Sequence, residues 1–233
     1  MDNKVTAIIV AAGSGKRMNS DTKKQFMEIN DKPLLYYSVR AFEESEVDDI
    51  VLVVPEEDID YVKSEIVEKY GFNKVKAVTP GGITRTKSVE HGLLLALDAE
   101  RVLIHDGARP LISYILINRV IEEIKHERAV LVAVPAKETI YSTEDGMVSA
   151  SLRRDRLYIA QTPQAFDTSL IKEAYNLAEK SAVKGPATDD VTFVYNYLGV
   201  KAKVIEGDYK NIKVTTPEDI EVAKALLTEY ESN

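Results

Sequence analysis

Short β-branched runs recur along the chain: TAIIVAA (6–12), DIVLVV (49–54), VKAVT (75–79), RVLIHD (101–106), AVLVAVP (129–135) and AKVIEG (202–207). Each is the length of a strand and too short for a helix that must bury itself. Between them, PLLYYSVRAFEES, DIDYVKSEIVEKY, TRTKSVEHGLLLAL and SYILINRVIEEIKHE place apolar residues every three or four positions, the spacing of one apolar helix stripe. The strand segments are apolar at consecutive positions, so both of their faces need a cover. Strands alternating with helices in this way predict an α/β fold of three layers, a mostly parallel twisted sheet with helices on both faces.

One segment keeps a different rhythm. KETIYSTEDGMVSASLRRDRL (137–157) alternates polar and apolar residues about EDG, which predicts a β-hairpin with an Asp-Gly turn. Its apolar face finds no neighbour in the strand and helix pattern, so the hairpin is expected to project as an interaction arm rather than to edge the sheet. After it come a helix at TSLIKEAYNLAEK, a loop KGPATDD opening another helix, and a last helix whose start is marked by TTPED. No repeat or linker interrupts the pattern, and residues 1–233 are expected to form one domain carrying the arm.

Composition narrows the classes of function. The 233 residues are 45% hydrophobic and 29% charged, enough for a packed core and too apolar for disorder. A net charge of -8 argues against a protein that coats nucleic acid, so any anion site must be local. There is no cysteine, which removes disulfides, thiolate nucleophiles and Cys-based zinc sites together. The apolar stretch near the N-terminus runs straight into glycines and resembles neither a signal peptide nor a membrane span. A cytoplasmic protein with no membrane partner is expected.

The loop after the first strand carries candidate chemistry. AAGSGKRMNSDTKKQ sets Gly13 and Gly15 at the carboxyl end of a strand, followed by Lys16, Arg17, Lys23 and Lys24. Ligands of open parallel sheets bind at such strand ends, and glycines there let backbone N–H groups approach an anion. Polyphosphate is the ligand chemistry this implies. A Walker A loop is excluded, because Arg17 stands where a hydroxyl belongs; a dinucleotide turn lacks its third glycine, Met18 standing there instead. A solvated basic loop on an acidic protein is the plainer alternative.

AAGSGKRM followed by KKQF resembles the signature of sugar-nucleotide-forming nucleotidyltransferases. GGITRTKSV, LIHDGARP, QTPQAF, ATDD and EGDYKNIKVTTPED narrow the resemblance to the cytidylyltransferases that act on 2-C-methyl-D-erythritol 4-phosphate in the non-mevalonate isoprenoid pathway. The motifs lie in order over nearly the whole chain. The resemblance implies attack by a phosphate monoester oxygen on the α-phosphorus of CTP, with pyrophosphate leaving, a reaction that needs positioning and cations more than covalent help.

By that resemblance, Arg17 and Lys24 stabilise the transition state, with Lys16 and Lys23 as solvent neighbours. Ala11, Ala12, Gly13, Ser14, Gly15, Gly82 and Ser88 hold the nucleotide, and Ile83 stands where relatives often carry Asp. Asp106, at the end of a strand, is the expected ligand of Mg²⁺, a hard cation that takes one or two carboxylates and fills its other positions with phosphate oxygens and water. Arg109, Thr139, Arg154, Thr162, Thr188 and Lys213 are expected on the polyol phosphate, Arg154 with an uncertainty of one arginine because Arg153 and Arg156 flank it. Arg154 and Lys213 would position the attacking phosphate. In the family the arm crosses to a second subunit, which implies a homodimer with Thr139 and Arg154 donated in trans.

His105 reads as structural, because the attacking phosphate is already ionised near neutral pH and strand alternation turns His105 away from the Asp106 face. His91 and His126 lie in helical segments and form no ligand cluster. Ribitol 5-phosphate cytidylyltransferases are the nearest alternative; they tend to carry LAGG where this chain has AAGSG, and lack the TDD form of 188–190. A nicotinamide-dependent oxidoreductase is the alternative from another class, and a catalytically dead binding module is a third. The oxidoreductase would need a ribose-binding acid about twenty residues past the glycine turn, whereas the second strand here arrives much later and ends in Pro55.

Overall fold

The computed structural model describes residues 4–13, 23–181 and 188–231. In chain order it runs β1 (Val5–Val10), a small ladder of β2 (Glu28–Ile29) and β3 (Lys32–Pro33), α1 (Leu34–Glu43), β4 (Asp49–Val54), α2 (Ile59–Tyr61, continuing as a π-helical stretch Val62–Glu68), β5 (Val75–Pro80) and α3 (Arg85–Leu95). Then follow β6 (Arg101–Asp106), α4 (Tyr114–Ile124), β7 (Ala129–Pro135), β8 (Tyr141–Glu144), β9 (Met147–Ser151), β10 (Tyr158–Asp167), α5 (Thr168–Lys180), α6 (Asp190–Leu198), β11 (Lys203–Glu206) and α7 (Pro217–Glu231).

Seven strands form one sheet in the order β11-β7-β10-β6-β1-β4-β5. All neighbours are parallel except β10, which is antiparallel to both β6 and β7. Strand alternation sorts the core into two layers. Ala7, Ile9, Ile50, Leu52 and Leu103 face one cluster with α1, α4 and α7. Ile8, Val51, Val53, Val102 and Ile104 face the other with α3, α5 and α6. This is the α/β fold with covered faces that the apolar runs predict.

β10 is the element the pattern concealed. QTPQ breaks the alternation expected of a strand, and a proline argues against a central one. The register against β7 shifts between Ala160 and Gln164, so Pro163 sits in the irregularity, where its missing N–H costs no ladder bond. This interruption is what brings Thr162 beneath the site described below.

The hairpin is a sheet of its own, β8 against β9, outside the seven-stranded sheet. Its turn is Asp145-Gly146 with φ of 51° and 78°, the left-handed pair of a two-residue hairpin loop, which Gly146 adopts without a Cβ penalty. Tyr141, Met147 and Val148 on the arm are exposed.

Candidate active site

β4, the next strand of this sheet along the chain, lies on one side of β1, while β6 lies on the other. That reversal opens a crevice at the carboxyl ends of β1 and β6, the usual ligand position in such sheets. A cavity of about 590 Å³ occupies it. Val10 to Gly13 form one wall, Asp106 to Ala108 the floor, Gly82 to Arg85 with Ser88 a second wall, and Lys24, Gln25, Lys213 and Thr215 the remaining sides.

The second wall can approach because the turn leading into it is Gly81-Gly82. A Cβ on Gly81 would lie 2.1 Å from the Cβ of Ala12. The Gly82 N–H donates to Ser88 Oγ at 3.1 Å, and Ser88 Oγ donates to the Thr84 carbonyl at 3.0 Å. Ser88 therefore braces the turn from inside, while Thr84 caps α3 by accepting from the Lys87 N–H. The helix starts with Arg85 aimed over the floor.

Asp106 accepts from Arg85 Nε at 3.0 Å on one carboxylate oxygen and from Lys213 Nζ at 2.7 Å on the other. Burial alone would push its carboxyl up; the charges of Arg85 and Lys213 overcome that and hold it well below the usual carboxylate range. Arg85 turns its other two nitrogens to Asp190, Nη1 to Oδ1 at 3.0 Å and Nη2 to Oδ2 at 2.8 Å. Burial opposes its charge, and the two carboxylates more than restore it, so Arg85 is held firmly protonated.

Asp190 is fully buried, and its Oδ1 also accepts from Tyr175 Oη at 2.5 Å. Burial and the charge of Asp190 push the Tyr175 phenol well above its ordinary range. Gln164, likewise fully buried, accepts from the Asp190 and Val191 N–H groups and donates to Asp189, fastening the start of α6 to the middle of β10.

Of the residues expected at the site, Ala11, Ala12, Gly13, Lys24, Gly82, Ser88, Asp106 and Lys213 come together around this cavity. Ser14, Gly15, Lys16 and Arg17 lie outside the described residues. Lys23 pairs with Glu57 and Asp58, both at 2.6 Å, in keeping with a neighbour's role. Arg109 sits behind the wall, donating to the Asn211 carbonyl at 2.7 Å, and burial lowers its pKa. Thr162 is buried too: its hydroxyl accepts from the Asp106 N–H at 3.0 Å and bonds His105 Nδ1 at 3.0 Å. That hydroxyl supports the floor from beneath. Thr139, Arg154 and Thr188 are exposed and outside the cavity wall.

His105 is fully buried against the Phe42 ring, and burial pushes its pKa down to about 3. It is a neutral packing residue, as strand alternation implied. Arg85, Asp190 and Gln164 are the polar residues sequence reasoning missed. Each stood inside a motif, yet the partners of Arg85 lie 21 and 105 positions away, beyond the reach of any spacing rule.

Among the described residues no three His, Cys, Asp or Glu side chains gather as a metal cage. Asp106 is the acidic residue of the described cavity wall. A single carboxylate suits a hard divalent cation whose remaining ligands come from a bound triphosphate and water, and the donor set fits such an ion.

The model of the family described as 2-C-methyl-D-erythritol 4-phosphate cytidylyltransferase (IspD) matches residues 5–229. A protein of that name from Lachnoclostridium phytofermentans is 47% identical over 230 residues, covering 98% of both chains. Another from Geotalea uraniireducens is 43% identical over 98% of this chain and 99% of its own. The solved structure of 4-diphosphocytidyl-2C-methyl-D-erythritol synthase from Anaerococcus prevotii superposes with a TM-score of 0.84 at 36% identity, covering 97% of this chain and 96% of that one. With the family motifs gathered around the crevice and likeness extending over the whole chain, this protein belongs to the 2-C-methyl-D-erythritol 4-phosphate cytidylyltransferase family.

Proposed function

We propose that this chain transfers CMP from CTP to 2-C-methyl-D-erythritol 4-phosphate at the crevice between β1 and β6. A phosphate oxygen of the polyol attacks the α-phosphorus, the bond to the β-phosphate breaks, and pyrophosphate leaves. The observation that carries this reading is that Lys24, Arg85, Asp106 and Lys213 line one cavity together with the chain from Ala11 to Gly13 and the turn at Gly82.

Ala11, Ala12, Gly82 and Ser88 accept the cytosine and ribose, beside the close approach of Gly81 to Ala12. Gly13, Ser14 and Gly15 offer backbone N–H groups to the triphosphate, and Arg17 and Lys24 place positive charge where negative charge accumulates. Lys213, whose side chain is 39% exposed, turns to the incoming phosphate by exchanging the bond its Nζ makes to Asp106. No general base is needed, because the attacking group is an ionised phosphate. The neutral, buried state of His105 agrees with that.

Asp106 would hold Mg²⁺, with other divalent cations able to substitute; the ion supplies charge neutralisation on the phosphate oxygens. Arg109, Thr139, Arg154, Thr162, Thr188 and Lys213 form the proposed polyol phosphate side. Thr162 acts there through Asp106, and Arg109 through the wall it supports. Thr139 and Arg154 lie on or beside the exposed arm, which supports a homodimer in which they reach the partner's cavity. A single domain, residues 1–233, and a cytoplasmic setting complete the reading; no described helix is long and apolar enough to cross a membrane.

The test is pyrophosphate release with Mg²⁺, crossing CTP, ATP, GTP and UTP against methylerythritol phosphate and ribitol 5-phosphate. Release from CTP with methylerythritol phosphate is expected. Release only with ribitol 5-phosphate would keep the mechanism and replace the substrate.

A further inference from the structure

Arg85 lies at the meeting point of the two helix starts that face the crevice. It is the first residue of α3, and it grips Asp190, the first residue of α6. The grip is bidentate, at 3.0 and 2.8 Å, and the carboxylate it holds is completely buried. Asp190 cannot drift, because its N–H is bonded to Gln164 in the central strand β10 and its Oδ1 to Tyr175 on α5. The one nitrogen of Arg85 not turned to Asp190 is Nε, and it donates to Asp106 Oδ1 at 3.0 Å.

The two partners of Asp106 thus differ in kind. Arg85 is locked at its far side by a fork of two bonds, a geometry only a planar guanidinium supplies. Lys213 approaches from a half-exposed loop by a single flexible stem. When Lys213 turns to a substrate phosphate, Oδ2 is released while Oδ1 stays tied. The Asp106 N–H is tied as well, to the Thr162 hydroxyl. The carboxylate therefore has one oxygen fixed and one available.

We infer that Arg85, clamped by Asp190, is a positioning residue that fixes the orientation of the Asp106 carboxylate during nucleotidyl transfer. The inference rests on the proposed reaction for its kinetic consequences, and on the geometry alone for its structural ones. Arg85 also borders the cavity, so the competing role is direct contact with the nucleotide. The two roles separate by experiment.

Arg85→Lys keeps the charge and loses the fork, which makes it gentler than Asp190→Ala, a change that empties a buried site. For Arg85→Lys we expect kcat to fall ten- to a hundredfold, the scale of a misplaced reacting group, with KM for CTP within about threefold of the unaltered protein. In an Asp106→Asn background the same substitution is expected to cost less than about twofold in kcat, because its route to the chemistry is already gone. A full, independent loss in that background, or a KM for CTP raised more than tenfold, would overturn the inference in favour of direct contact. An unchanged kcat overturns it outright.

The second measurement is a crystal structure of Arg85→Lys. A rotated Asp106 carboxylate is expected, and an Asp106 held in place would sink the claim. That structure stands even if the unaltered protein releases no pyrophosphate, in which case the reaction fails and the positioning is decided separately.

Discussion

Asp190, behind Arg85, is fully buried and Asp106 at the floor of the cavity nearly so, and each of their carboxylate oxygens has a named donor. In the arm every residue of β9 is exposed, and the polar bonds that hold it are local, such as Ser142 to Ser149 at 2.9 Å. The floor is fixed by contacts among α3, β6, β10, α5, α6 and the loop carrying Lys213, all of the same chain. Among the described residues β8 and β9 pair with each other alone, and an isolated two-stranded hairpin is marginal in water. The geometry of half the site is thus written into the monomer. On the proposed reading the other half, with Thr139 and Arg154, needs something outside it. Substitutions can break that contrast or sharpen it.

The largest effect is expected at Asp190. Asp190→Ala leaves the Arg85 guanidinium without its bidentate partner, and breaking a buried pair from one side costs about 3–5 kcal/mol. Urea unfolding checks it. A loss below about 1 kcal/mol would mean that the floor is no better fixed than the arm. Lys24→Ala comes next, on turnover rather than stability. Removing one placed charge from a phosphoryl-transfer site is expected to lower kcat by about 10²–10³-fold with the fold intact. Near-normal turnover in a folded Lys24→Ala protein removes Lys24 from the machinery.

The third effect is a response to pH. His105 is neutral when folded, its pKa pushed down to about 3 by burial, whereas in the unfolded chain it takes a proton below about 6.5. Between those values the unfolded state binds more protons, so stability falls as pH falls. From pH 7 to pH 5 the loss from this group is about 2 kcal/mol. The Asp106 carboxyl, depressed when folded, adds nothing over that range; its contribution is present above its unfolded value and is lost only at more acid pH. A His105→Gln protein is expected to show a flatter stability profile from pH 7 to 5, measured by urea midpoint. An identical slope in both proteins would show that His105 takes up its proton while folded.

The contrast also explains what could be read from the sequence. The six β-branched runs became strands and both core layers followed: in β1, β4, β6 and β7 burial on two faces demands consecutive apolar residues, while the edge strands β5 and β11 carry weaker runs and stay partly exposed. The Asp-Gly turn was legible because few residues tolerate the left-handed pair at Asp145 and Gly146. β10 was hidden by its own work: Gln161 to Gln164 interrupt the apolar pattern, and Thr162 and Gln164 within that run are occupied with Asp106 and the start of α6. Family resemblance found Asp106 and Lys213. It passed over Arg85 and Asp190, whose meaning lies in a contact across 105 positions that only the folded sheet creates.

The smallest effect is expected on the arm. Met147 and Val148 are 74% and 63% exposed, so Met147→Ser with Val148→Ser removes little buried surface within one chain. The stability of a monomer should change by less than about 0.5 kcal/mol, the usual range for exposed positions. If a second copy covers the arm, as the proposed homodimer requires, the same pair of changes should shift the sedimenting species from dimer toward monomer at micromolar concentration. Activity per chain should fall with it, since the exposed Thr139 and Arg154 would lose their route to a cavity. A chain that sediments as a monomer with full activity before any substitution would break the comparison at its root. The arm would then act on its own cavity, and its exposure would mark a segment that folds down when substrate binds.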